Sequence, residues 1–167
     1  LNEIYKKAIE FERKGFEFYK EIAEKMNQPL AKRLFESLAE QEKEHIHFIE
    51  DIYEKGNFEI GIAELKQINK MEEDIKKVFF EIDKEKRKAP LDHIEGYKLA
   101  MELEKKGYEM YKDFAKNSIG KEKEFFETLM EQEKQHFESL NNVYRYLSES
   151  EIWYSEEESK VWNWMNM

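Results

Sequence analysis

The chain contains no cysteine. That absence removes disulfides, iron–sulfur clusters, zinc–thiolate sites and thiol catalysis. Proline and glycine are nearly as scarce, 2 and 6 residues in 167, so few positions break helices or build loops. With 40 % charged residues, long solvated helices are expected rather than loops or disorder. No apolar run approaches the roughly 18 residues that span a bilayer. No signal peptide is visible either, so no membrane is expected as a partner and the cytoplasm is the expected location. The chain opens on Leu1, and a short natural N-terminal segment is expected ahead of it. Basic charge is in deficit as well: 28 Lys and Arg face 38 Asp and Glu, a formal charge of −10. Nucleic acid is therefore not an expected partner, because phosphate binding needs a basic face. A length of 167 residues suits one domain with a real core. Any chemistry must come from carboxylates, histidine, tyrosine or a bound cofactor.

What the sequence does have is an internal repeat. "AIEFERKGFEFYKEIA" at 8–23 aligns with "AMELEKKGYEMYKDFA" at 100–115 at an offset of 92, with nine of sixteen positions identical. "LFESLAEQEKEH" at 34–45 aligns with "FFETLMEQEKQH" at 125–136 at an offset of 91, with eight of twelve identical. The near-constant offset gives both halves one layout, a tandem duplication of a helical hairpin.

The expected elements follow from the helix punctuation. A first helix runs over about 2–26 and breaks at "NQP", where Pro29 suits the start of a second helix over about 30–55, which stops at "KGN". A third begins near "PLDHIE", where Asp92 and Glu95 have capping-box spacing, and ends near "NSIG". A fourth covers about 121–147. Residues 56–90 have the length of the crossover that a parallel return from the second to the third helix requires, with a further helix expected around 71–88. The organisation is thus all-α: a four-helix bundle over 1–147, made of hairpins 1–55 and 91–147 and the crossover 56–90. An amphipathic tail over 148–167 carries Trp153, Trp162 and Trp164.

Steps of three and four residues trace the face each helix buries. The first gives Tyr5, Ala8, Glu12, Gly15, Tyr19, Ile22 and Met26; the second Leu34, Leu38, Glu42, His45, Ile49 and Ile52. The third gives Tyr97, Ala100, Glu104, Gly107, Tyr111 and Phe114; the fourth Phe126, Leu129, Glu133, His136, Leu140, Val143 and Leu147. Each stripe is apolar or aromatic except at its middle, which carries Glu, Glu-x-x-His, Glu and Glu-x-x-His in turn. An unpaired buried carboxylate costs roughly several kcal/mol, and a domain is stabilised by only about 5–15 kcal/mol. Four such groups need compensating positive charge. Two divalent cations supply it, with the imidazoles as neutral ligands.

Spacing alone says little, since 38 of 167 residues are acidic. Glu44 and His47 have the same spacing as Glu42 and His45 but lie about 200° around the helix from them. Their repeat positions hold Gln135 and Glu138, so this second pair reads as a solvated face. His93, just inside a helix start, reads as structural. Glu10, Glu17, Glu102 and Glu109 recur off the buried stripe and suit solubility or salt bridges.

The arrangement resembles the ferritin-like di-iron carboxylate bundle, in which two helices give Glu and two give Glu-x-x-His. Within that group it most resembles the rubrerythrin family, through "AIEFERKGFEFY", "AMELEKKGYEMY", "LAEQEKEH" and "LMEQEKQH". The resemblance implies two iron ions, with manganese or zinc as alternatives. Glu12 and His45 would serve one, Glu104 and His136 the other, and Glu42 and Glu133 would bridge them. Tyr19 and Tyr111 match tyrosines that hydrogen-bond and orient the ligand carboxylates. It implies di-iron oxidoreductase activity, reduction of hydrogen peroxide or use of O2, with ferrous oxidation for iron handling as an alternative; a structural bundle with a vestigial site is the non-catalytic reading.

Two departures qualify the resemblance. Typical members carry a C-terminal rubredoxin domain with four cysteines; here electrons would come from a separate donor protein such as a rubredoxin. Many members place a seventh carboxylate where this chain has Gly107, mirrored by Gly15, so a ligand swap through that residue is closed off. The set looks more like the symmetric six-ligand centre of bacterioferritin-type proteins. Phe79 and Phe80 in the crossover and the three tail tryptophans need cover from the same chain or from a second copy, as in a homodimer.

Overall fold

The computed structural model describes residues 2–68 and 92–148, with residues 73, 77, 80 and 81 between them. Residues 2–68 and 92–148 form five helices and no strand: α1 (Asn2–Lys25), α2 (Pro29–Lys55), α3 (Phe58–Lys66), α4 (Ile94–Lys116) and α5 (Gly120–Ser148). The expected all-α bundle of two repeated hairpins is the observed architecture. No described helix is long and apolar enough to cross a membrane.

The turn between α1 and α2 is built as the sequence indicates. Pro29 occupies the first turn of α2, and the Gln28 side chain accepts a hydrogen bond from Ala31 N at 2.8 Å. Gly56, at φ 67°, ends α2 in the left-handed conformation that only glycine adopts without strain. The start of α4 departs from the expected capping box. His93 is the N-cap residue, at φ 52° and with no side-chain cap. Asp92 instead accepts from Asn27 N at 2.9 Å, and His93 Nε2 donates to Lys25 O at 3.0 Å. Both residues therefore serve the α1–α2 turn of the other hairpin, where the last carbonyls of α1 and the loop amides lack helical partners. His93 has the structural role expected of it.

Each hairpin packs α1 on α2 and α4 on α5, and the hairpins meet through α1 with α4 and α2 with α5. Tyr19 reaches Glu104 while Tyr111 reaches Glu12, so α1 and α4 are antiparallel. Gln41 reaches His136 while Gln132 reaches His45, so α2 and α5 are antiparallel too. α2 and α4 consequently run the same way, which is why a crossover is needed. Its first part forms α3, a helix the sequence reading did not assign. α3 is only nine residues long; it buries Ile62 and Leu65 and sets Phe58 against Phe125 at 6.1 Å. Of the segment expected to be helical over 71–88, the four described positions are helical. Phe80 is 58 % exposed; Phe79, Trp153, Trp162, Trp164 and the tail after Ser148 lie outside the described residues.

The apolar interior divides in two. One cluster gathers Tyr19, Leu34, Phe35, Tyr97 and Tyr146. The other gathers Tyr5, Ile49, Tyr111, Phe125 and Phe126. The middle residues of the four stripes lie between these clusters along the bundle. The expected stripe residues are buried, except that Ile22 and Phe114 are half-buried. Of the second Glu-x-x-His pair, His47 is exposed and Glu44 half-buried, and Glu10, Glu17, Glu102 and Glu109 are exposed.

Candidate metal centre

Helix phase brings Glu12, Glu42, His45, Glu104, Glu133 and His136 into one layer, each no more than 2 % exposed. Their ligand atoms form two overlapping groups, each within 4.8 Å: Glu12, Glu42, His45 and Glu133, and Glu42, Glu104, Glu133 and His136. Glu42 and Glu133 belong to both. His45 Nδ1 lies 3.3 Å from Glu12 Oε2 and 3.5 Å from Glu133 Oε1. His136 Nδ1 lies 3.4 Å from both Glu42 Oε1 and Glu104 Oε2. The imidazole rings stack across the centre, with centroids 5.6 Å apart and planes 8° from parallel. The pseudo-two-fold relation of the repeat is thus expressed in the side chains.

The residues around this layer fix its orientation. Tyr111 donates to Glu12 Oε1 at 2.5 Å, and Tyr19 donates to Glu104 Oε1. Each tyrosine therefore holds the glutamate of the opposite hairpin, not that of its own helix. Gln132 Oε1 lies 2.5 Å from His45 Nε2, and Gln41 Oε1 lies 2.6 Å from His136 Nε2. The Gln132 amide nitrogen donates to Leu65 O at 2.6 Å, which fixes the amide with its oxygen toward the imidazole. His45 must then carry a proton on Nε2, and Nδ1 is the atom free to ligate. Sequence reasoning missed these glutamines. The signal available was the shared "EQEK", in which Gln precedes the buried Glu in both halves.

The two glycines of the stripe make room for the shared carboxylates. A Cβ on Gly15 would lie 3.2 Å from Glu42 Oε2, and one on Gly107 would lie 2.9 Å from Glu133 Oε2 and 2.8 Å from Phe11 Cε1. Phe11 and Glu133 leave no room at 107 for a further carboxylate.

Electrostatics divide the carboxyls into two kinds. Burial first, then the Glu12 carboxylate, push Glu42 well above the usual carboxylate range; burial, then Glu104, do the same to Glu133. Burial also acts to raise Glu12, but His45 and hydrogen bonds from its neighbours outweigh it and bring the group down to about 2. Glu104 is lowered in the same way, with burial opposed by His136. His45 is raised: burial acts to lower it, and the Glu12 charge overcomes that. Without a cation, burial and mutual repulsion favour the protonated form of the shared carboxyls, while the histidines favour the ionised form of the outer pair.

Even so, Glu42 Oε1, Glu104 Oε2, Glu133 Oε1 and His136 Nδ1 have no hydrogen-bond partner. A buried polar atom left unpaired costs about 1–3 kcal/mol, and these four face one another in a single layer. Hard carboxylate oxygens with two imidazole nitrogens are a donor set for divalent iron, manganese or zinc. The residues fit a pair of cations, and the orphaned atoms are the ones such cations would engage.

Comparison with known proteins agrees with this reading. The family model described as Rubrerythrin matches residues 3–144. No curated protein and no solved structure gives a match. With most of its length covered by that model and a buried carboxylate–histidine cluster capable of holding metal, the chain belongs to the rubrerythrin family.

Proposed function

We propose that the chain is a di-iron oxidoreductase that reduces hydrogen peroxide, drawing its electrons from a separate donor protein such as a rubredoxin. The observation that carries this reading is the pair of four-residue clusters sharing Glu42 and Glu133, in a member of the rubrerythrin family. Glu12 and His45 would hold one ion and Glu104 and His136 the other, with Glu42 and Glu133 contributing to both. Bound there, a ferrous pair supplies the two electrons that break the O–O bond of peroxide.

The chain's own residues prepare the centre. Tyr111 and Tyr19 hold Glu12 and Glu104 by their Oε1 atoms, leaving Oε2 on each facing a histidine Nδ1. Gln132, anchored by Leu65 O, keeps His45 in the tautomer that presents Nδ1, and Gln41 stands in the matching place at His136 Nε2. The six side chains lie at most 2 % exposed between the two apolar clusters, so their charges act at low dielectric. Because burial and neighbouring carboxylates raise Glu42 and Glu133, cation binding at these two residues would be coupled to proton release.

The test is anaerobic loading with ferrous iron followed by a pulse of peroxide or of O2, monitored by ferric absorbance. Oxidation of two irons per chain, faster with peroxide, is the expected result. Faster oxidation by O2 would assign the centre to ferroxidase chemistry instead.

A further inference from the structure

A cavity between α4 and α5 comes up against this layer from outside. Its volume is about 370 Å³, and it is lined by Glu104, Lys105, Tyr108, Glu133, Lys134 and Phe137 among others. Glu104 and Glu133 form the inner part of its wall while staying 1 % exposed, and behind that wall each has a buried oxygen without a hydrogen-bond partner. The remaining lining is the Tyr108 and Phe137 rings, the methylene stems of two lysines whose charged ends can stay in water, and the exposed Glu109. Lys105 Nζ sits 5.3 Å from the centre of the Phe137 ring, within cation–π range, so two of the lining residues hold one another.

The two faces of the bundle differ at this point. The six candidate ligands, the two tyrosines, the two glutamines and the two glycines recur unchanged in both hairpins. Tyr108 and Phe137 do not: their repeat counterparts are Phe16 and Ile46. Size then bears on what the cavity admits. Hydrogen peroxide fills roughly the space of two waters, at about 30 Å³ each. A volume of about 370 Å³ falls instead in the range of pockets for organic ligands, about 300–1,000 Å³.

We infer that the α4–α5 cavity is the substrate pocket of this centre and that it takes organic hydroperoxides with a compact apolar tail. The tail lies between Tyr108 and Phe137, and the peroxide end faces Glu104 and Glu133. This rests on the peroxide-reductase reading above. The O–O bond breaks with two electrons and two protons, giving one alcohol and one water; the reduced metal pair gives the electrons and an external one-electron donor protein replaces them.

Two measurements test it. The first compares kcat/KM for cumene hydroperoxide with that for hydrogen peroxide in the wild type and in Phe137→Trp, which narrows the cavity. The cumene-to-hydrogen-peroxide ratio should fall about tenfold, the size of effect a hydrophobic pocket exerts on a misfitting group; an unchanged ratio overturns the inference. The second follows amide shifts of the redox-silent zinc-loaded protein as 2-phenyl-2-propanol, the product alcohol, is added. Shifts confined to residues around 104–109 and 133–137 support the pocket, and their absence overturns it even if hydrogen peroxide is turned over. Binding of the alcohol with no turnover of either peroxide sinks the peroxide-reductase reading while supporting the pocket.

Discussion

Replacing Gly107 by alanine sets two opposed effects of similar size against each other. In a helix interior alanine is better than glycine by about 1 kcal/mol. At 107, however, the new Cβ would lie 2.8 Å from Phe11 Cε1 and 2.9 Å from Glu133 Oε2, against about 3.5–4.0 Å for a relaxed carbon contact. Both neighbours must move, and overpacking of this kind costs about 1–3 kcal/mol. The net effect is a loss of up to about 2 kcal/mol, or a fall in Tm of about 4–8 °C for a domain of this size. Gly15 supplies the control. Its Cβ meets only the end of the Glu42 side chain, closest at Oε2, 3.2 Å away, so most of the roughly 1 kcal/mol gain should survive. Thermal unfolding of metal-free protein should rank Gly15→Ala at or above wild type and Gly107→Ala below it. Competition titration with zinc should show Gly107→Ala about tenfold weaker or worse, since a displaced Glu133 oxygen disturbs both clusters, as loss of a supporting contact does elsewhere. If Gly107→Ala proves as stable as Gly15→Ala and binds zinc as tightly as wild type, the packing argument is wrong.

The stability of the metal-free protein should fall as pH rises above the ordinary carboxylate range. Glu42 and Glu133 are raised, so their contribution is present at low pH and lost as pH climbs through their folded values; His45, also raised, contributes below its unfolded value and loses that contribution in the same direction. Glu12 and Glu104 are lowered, so their contribution is complete above the ordinary carboxylate range and does not oppose the trend. A Tm that rises with pH above that range contradicts the upward shift of the shared carboxyls. Gln132→Leu and Gln41→Leu should each weaken zinc binding by about 10–100-fold; a loss in neither, by competition titration, removes the tautomer argument. Tyr111→Phe should weaken the binding step at Glu12 and His45, and Tyr19→Phe the step at Glu104 and His136, each by a similar factor. Site-resolved metal NMR or spectroscopy showing the reverse pairing would refute the crossed arrangement.

The parts of the molecule legible in the sequence are those governed by helix period. Long stripes with few glycines and prolines fixed which side of each helix faces inward, and that phase separated Glu42 and His45 from Glu44 and His47. The repeat added the pseudo-two-fold relation. What escaped depends on contacts between elements far apart in the chain. Asp92 and Glu95 have capping-box spacing, yet Asp92 bonds to Asn27 because the opposite hairpin's turn lies beside it. The tyrosines were expected to orient carboxylates, but nothing in one helix says that Tyr19 reaches Glu104 and Tyr111 reaches Glu12. α3 is short, lacks a side-chain cap and gains its stability from packing on α5, so its local signal was weak. Gln41 and Gln132 resemble ordinary surface residues of an acidic helix until their imidazole partners are seen.

The most direct test of the account is the stoichiometry of metal binding at the shared carboxylates. Anaerobic ferrous titration of the wild type, with metal content measured after desalting, should give two ions per chain. Glu42→Ala and Glu133→Ala should each weaken both sites together, because each residue belongs to both clusters. Binding of fewer than two ions by the wild type, or loss of only one site in these variants, would contradict the shared two-metal centre.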